Sequence, residues 1–148
     1  MTTVDGNREV TRTALERVCA TGDMTLARDC YAEDFTDHIG TARFDGHDGI
    51  RRSTALYRAL LDDLTITVED QIADGDRVAN RWTVTGTNRG RPVRLTGITI
   101  SRVHNGLVAE DWTAFDPLDL LRALGIRRTL LAAPHLLRAR RAAGHQPT

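Results

Sequence analysis

The sequence predicts an α+β fold in which helices pack on one face of an antiparallel sheet. Two observations carry this. Hydrophobic positions recur with a helical period over roughly the first sixty residues, and from Leu64 onward they alternate with the period of a strand. The second is Asn105-Gly106 between two alternating runs, Val93–Val103 and Leu107–Ala114, the pattern of a tight hairpin whose two turn residues both need positive φ.

The elements follow in order. Val10, Ala14, Leu15 and Val18 mark a helix over residues 8–20, stopped by Thr21-Gly22-Asp23. A shorter helix carries Met24, Leu26, Ala27 and Cys30 and runs into Tyr31-Ala32-Glu33-Asp34-Phe35. Residues 36–46, rich in Gly, Asp and Thr, read as a loop or short strand. A third helix spans about Gly49 to Leu61, with Ile50, Ala55, Leu56, Ala59 and Leu60 inward. Four strands follow, Leu64–Val68, Val78–Thr85, Val93–Val103 and Leu107–Ala114, turning at Asp74-Gly75, Asn88-Arg89-Gly90 and Asn105-Gly106. A last helix covers Pro117 to Leu124 and stops at Gly125. Residues 1–125 thus form one domain. Residues 126–148 hold five Arg and no acid and read as a basic amphipathic helix, interrupted at Pro134, with a frayed end. That segment lies on the body or at a dimer contact, or serves as a surface anchor.

Composition narrows the function. The charge is balanced at 20 basic against 20 acidic residues, so nothing calls for nucleic acid or an anionic membrane. Every basic residue is Arg, which excludes Schiff-base and Lys general-base chemistry. No apolar run reaches the roughly 18–20 residues of a membrane span, and the N-terminus lacks the pattern of a signal peptide. Cys19 and Cys30 read as buried free thiols in a reducing cytosol. No phosphate loop, dinucleotide fingerprint or Ser or Cys nucleophile motif occurs. Asp45, His47 and Asp48 lie close in sequence, but one loop without a third-site partner is a weak metal signal; no metal and no cofactor are expected.

Three local patterns carry a resemblance: Tyr31-Ala-Glu-Asp-Phe-Thr-Asp-His38, Asp74-Gly-Asp-Arg-Val-Ala-Asn-Arg-Trp-Thr-Val-Thr-Gly86, and Arg102-Val-His-Asn-Gly-Leu-Val-Ala-Glu-Asp-Trp112 followed by Asp116 and Leu120-Leu-Arg-Ala-Leu-Gly125. Over residues 8–125 the chain resembles the SnoaL-like polyketide cyclase, or ester cyclase, group of the NTF2-like superfamily. The resemblance implies a cone, a strongly curved antiparallel sheet wrapped around helices and enclosing one apolar cavity. It implies a pocket role for His38, and a homodimer through the outer sheet face, where Trp112 would sit. It also shows departures: the cyclases place a pocket His and an acid/base Asp where this chain has Thr99 and Thr113.

Strand parity names the remaining candidates. If Thr113 faces the cavity, Asp111 and Leu107 share that face, Thr99 lies beside Thr113, and Glu110 and Trp112 face away. Asp111 is the first candidate acid/base, because a carboxyl in an apolar cavity is pushed toward neutral pH. His38 is the second, as a residue type suited to proton transfer near neutrality, and the two would pair across the cavity mouth. Asp37 is expected to point outward by alternation from His38. Thr99 and Thr113 would hydrogen-bond a substrate oxygen, with Trp82, Tyr31 and Phe35 as apolar walls or core. The expected function is cofactor-independent acid/base rearrangement of an apolar, polyketide-type small molecule: ring closure, isomerisation or a related lyase-type step in secondary metabolism. The alternatives are epoxide opening by a carboxylate pair such as Asp37 and Asp111, which requires both to converge in the cavity, and a non-catalytic metabolite binder.

Overall fold

The computed structural model describes residues 3–125, so the expectation for residues 126–148 lies outside the described part. Helix α1 (Val4–Thr13) is capped by Thr3, whose hydroxyl accepts from the Gly6 amide. It continues as a π-helical segment, Ala14–Cys19, whose wider turn sets Leu15 and Cys19 on the same cavity wall. Asp23 caps α2 (Met24–Cys30) by accepting from the amides of Thr25 and Leu26 at 2.9 and 3.1 Å. Strands β1 (Tyr31–Ile39) and β2 (Ala42–Asp45) lead to α3 (Gly46–Leu60). Then come β3 (Asp62–Asp74), β4 (Arg77–Asn88), β5 (Arg91–His104), β6 (Leu107–Phe115) and α4 (Pro117–Leu124). The Asn105-Gly106 turn has φ of 50° and 81°, as the dipeptide requires.

The expected helices and the four-strand meander are present, but the sheet is mixed rather than antiparallel. It has six strands in the order β2-β1-β6-β5-β4-β3, and β1 runs parallel to β6. The stretch read as a post-helix segment followed by a loop or short strand is a strand pair. Its sequence is polar because β1 and β2 lie at one side of the sheet, with β2 as an open edge that water can solvate. The helix expected from about Gly49 starts at Gly46, so His47 belongs to its first turn and bonds the Tyr31 carbonyl at 3.0 Å.

Two buried clusters build the core. One joins Val18, Ala27, Tyr31, Phe35, Ile50 and Val108; the other joins Leu15, Ala20, Ile66, Val68 and Trp82. Tyr31 and Phe35 meet edge-on at 4.6 Å, a contact worth about 0.5–1.5 kcal/mol beyond burial. The β5–β6 ladder shifts register by skipping Ala109, a bulge that makes Val108 the fully buried residue near the hairpin while Leu107 is only half-buried. The expectation that Leu107 shares a face with Asp111 therefore fails, because parity does not cross a bulge.

Candidate active site

Between the two clusters lies a cavity of about 310 Å3 with an overwhelmingly apolar wall. Five polar side chains line it besides the Cys, Tyr and Trp side chains: Asp37 from β1, Ser53 from α3, Thr99 from β5, and Asp111 and Thr113 from β6. Cys19, Tyr31 and Tyr57 complete the set of titratable groups on its wall, and among the described residues no Arg or His lines it.

Asp37 stands opposite Asp111 in the parallel β1–β6 register. Both carboxyls are buried, at 8 % and 5 % exposure, and each keeps one oxygen without a partner. Burial, and then the neighbouring charge of Asp111, push Asp37 up to about 8. Burial pushes Asp111 up to about 7, opposed by a hydrogen bond from Ser101. Burial likewise raises the Cys19 thiol to about 12 and the Tyr31 and Tyr57 phenols well above their ordinary range. Those three groups are neutral at physiological pH, so the two carboxyls are the groups on this wall that exchange protons there.

The Thr99 and Thr113 hydroxyls lie 3.0 Å apart on paired positions of β5 and β6. The Trp82 indole N–H donates to Thr99 Oγ1 at 2.9 Å. An indole N–H only donates, so Thr99 accepts there; either hydroxyl can donate in the Thr99–Thr113 bond, and in both arrangements the row leaves one hydroxyl proton for the cavity. Trp82 lines the wall, so it belongs to the cavity face of β4.

His38 is elsewhere. Register places it beside Trp112, on which its ring stacks with centroids 5.7 Å apart, and its Nε2 lies 2.9 Å from Glu110 Oε1. Both partners lie on the outer face, where Arg77 also sits over the Trp112 ring at 5.2 Å. The expected His38–Asp111 pair across the cavity mouth therefore does not form. Asp37, expected to point outward, is the residue that faces Asp111 instead. The missed signal is parity: Asp37 and Ile39 flank His38 on the regular part of one strand, and both line the cavity. Ser101 and Asn80, both buried, carry no site signal in the sequence; Ser101 pairs with Asp111 across β5 and β6, and Asn80 Nδ2 lies 3.3 Å from Ser101 Oγ.

A family model for the SnoaL-like polyketide cyclases matches residues 9–124. The chain belongs to the SnoaL-like polyketide cyclase family. Helices on one open mixed sheet, with a cavity between them, fit the NTF2-like cone expected of that family. Among solved structures, the chain is similar to IdmH, a proposed polyketide cyclase from Streptomyces antibioticus. Identity is 28 %, the TM-score is 0.71, and the match covers 80 % of this chain and 98 % of that one. A proposed polyketide cyclase from Bacillus cereus ATCC 10987 is 26 % identical with a TM-score of 0.70, over 80 % of this chain and 78 % of the other. AclR from Streptomyces galilaeus, a proposed hydroxylase, shares the fold with a TM-score of 0.69 at 20 % identity, over 83 % of this chain and 98 % of that one. No curated protein sequence matches. The SnoaL-like group points to small-molecule cyclase or isomerase chemistry. Among the described residues no helix is long and apolar enough to cross a membrane, and no group of three or more His, Cys, Asp or Glu is placed to hold a metal ion.

Proposed function

We propose that this SnoaL-like protein is a cofactor-independent acid/base enzyme that rearranges an apolar, polyketide-type small molecule by ring closure or isomerisation. One observation carries the reading: two buried carboxyls, Asp37 and Asp111, stand opposite each other in an apolar cavity, each with an unpartnered oxygen. Two buried carboxyls at paired positions of one ladder share one proton near neutral pH, because a second buried negative charge is opposed by the first. Such a pair takes a proton from one substrate atom and returns one to another, which is what an enolisation-driven ring closure or isomerisation needs. The Thr113 hydroxyl, oriented through Thr99 and Trp82, donates to the substrate oxygen on which charge develops. Tyr31, Phe35 and the Trp82 ring supply the apolar wall. His38 has no part in this reading, because it lies on the outer face.

A second reading has support of its own. Epoxide opening requires both carboxylates to converge in the cavity, and Asp37 and Asp111 both line it. The two reactions differ in mass balance: ring closure or isomerisation leaves the substrate mass unchanged, whereas epoxide hydrolysis adds one water. Incubation with a panel of apolar poly-β-ketone esters and epoxides, read by mass spectrometry, separates them. Isomeric products of the keto esters that vanish in Asp111→Asn support the first reading, and opened products of the epoxides, water-adding or cyclised, support the second. Binding of both panels without conversion overturns both and leaves a metabolite-binding role. A homodimer through the outer sheet face is part of the proposal, supported by exposed Ile98 and Ile100 beside Trp112. So is a cytoplasmic location, supported by the free thiols of Cys19 and Cys30.

A further inference from the structure

The two carboxyls have unequal surroundings, and the difference begins far from the cavity. Arg12, on α1, donates through Nη2 to Gln71 Oε1 at 3.2 Å. A guanidinium has no acceptor, so the oxygen of the Gln71 amide must face it and the nitrogen must face away. Gln71 Nε2 donates to Asn80 Oδ1 at 2.8 Å, and Thr11 Oγ1 lies 3.1 Å from the same oxygen. That orients the Asn80 amide in turn, with Nδ2 donating among three acceptors at 3.3 Å, Ser101 Oγ and the carbonyl oxygens of Val78 and Thr99. The hydroxyl of Ser101 is then left to donate to Asp111, its partner in the β5–β6 register. Every link runs the same way. The direction is set at one end by a group that only donates and is satisfied at the other by a group that accepts best when ionised.

Asp37 has no such donor. The titratable groups facing the pair are the Cys19 thiol from the π-helical segment, the Tyr31 phenol from β1 and the Tyr57 phenol from α3, all neutral. Tyr31 Oη lies 3.3 Å from Cys19 Sγ. The asymmetry therefore comes from β4 and β5.

We propose that the shared proton of the pair resides on Asp37 and that Asp111 is the proton-accepting member, fixed by a one-way hydrogen-bond chain from Arg12 through Gln71, Asn80 and Ser101. In the reaction proposed above, on which this inference rests for its use, Asp111 removes the substrate proton and Asp37 delivers one. Arg12, Gln71, Asn80 and Ser101 touch neither substrate nor reacting atoms; they are positioning residues. The chain explains why polar side chains at Gln71, Asn80 and Ser101 stand at buried or half-buried positions where an apolar core would pack as well.

The test is a site-resolved titration of the intact protein, following the 13C shifts of the Asp37 and Asp111 carboxyl carbons with pH. The two carboxyls titrate as a coupled pair, so the readout is which carbon carries most of the first ionisation. In the wild type it is Asp111. Ser101→Ala moves that step off Asp111 and raises its midpoint by about one pH unit or more, the size of a lost hydrogen bond to a charged group. Ser101→Thr keeps a hydroxyl at the position and keeps the wild-type order. Arg12→Met, at the half-exposed far end, shifts Asp111 the same way by less. First ionisation at Asp37 in the wild type overturns the proposal, as does a Ser101→Ala titration equal to wild type in a folded variant. If Ser101→Ala does not fold, as judged by its amide spectrum, the wild-type order and the Arg12→Met shift decide. The titration reads where the proton sits and not whether a substrate turns over. The expected order without turnover overturns the reaction and keeps the chain, and the reverse result overturns only the chain.

Discussion

Asp37 and Asp111 are direct partners in the parallel β1–β6 ladder, and both turn their carboxyls into one apolar cavity. Two acids meet there without a cation on the cavity wall, among the described residues, to neutralise them. The fold tolerates this because at least one of them stays protonated near neutral pH.

The first prediction follows from that proton. Both carboxyls titrate higher in the folded chain, near 8 and 7, than a carboxyl does in the unfolded chain, near 4. Between those values the folded state holds more protons than the unfolded one, so stability falls as pH rises from about 4 to about 8 and the cost is constant above. Surface carboxylates held low, such as Glu110 beside His38 and then Arg102, act in the opposite sense and at lower pH. Asn at position 37 removes one of the two raised groups. Asp37→Asn therefore melts higher than wild type at pH 8, by roughly 2–4 °C for each kcal/mol relieved, and shows no such gain near pH 4. Thermal melts at the two pH values check this; an equal difference at both would refute it.

Activity should behave in the opposite way. Asp111→Asn is expected to lower kcat by about 10²–10⁴-fold on whichever substrate of the panel turns over. Circular dichroism should show the fold unchanged. Turnover near the wild-type rate would remove Asp111 from the mechanism.

Thr113→Val takes away one of the two hydroxyls of the Trp82–Thr99–Thr113 row, the one proposed to donate to the substrate oxygen. The expected loss is about 10²-fold in kcat, in the range for one donor to a developing oxyanion, with KM less affected. Trp82→Phe keeps the ring but removes the N–H that orients the row, and should give a smaller loss in the same direction. A pure rise in KM in both variants would mean that the row binds ground state and transition state equally.

Gly97 lies opposite Trp82 in the β4–β5 ladder, where an added Cβ would come within 2.4 Å of the indole ring and 2.7 Å of the Ala114 carbonyl oxygen. Gly97→Ala must displace the ring or the strand, at a cost of about 1–3 kcal/mol. A drop in melting temperature together with an altered near-ultraviolet Trp signal is expected. An unchanged melt would show that the cavity wall yields freely.

The outer face carries exposed Ile98 and Ile100 beside the His38-stacked Trp112. Light scattering should return twice the 16.4 kDa chain mass. A single-chain mass would refute the homodimer.

Much of this protein follows from its sequence alone. The switch of period after the third helix, the Asn105-Gly106 turn and the Pro117 and Gly125 boundaries lead to an α+β meander. They do so because period and turn chemistry are local properties. Alternation along one unbroken strand also puts Asp111 and Thr113 on one face, with Thr99 beside them across the ladder. What only the tertiary structure decided is whatever depends on pairing between distant segments. Its polar composition hid β1, and its parallel pairing with β6 brings Asp37, not His38, to Asp111. A single bulge at Ala109 reversed the parity expected for Leu107. The chain from Arg12 to Asp111 crosses α1 and four strands, and no local period records it, because its hydrogen bonds join side chains 59, 9 and 21 residues apart and leave no common spacing to read. Local periodicity specifies the strands; the register between them specifies which acid meets which.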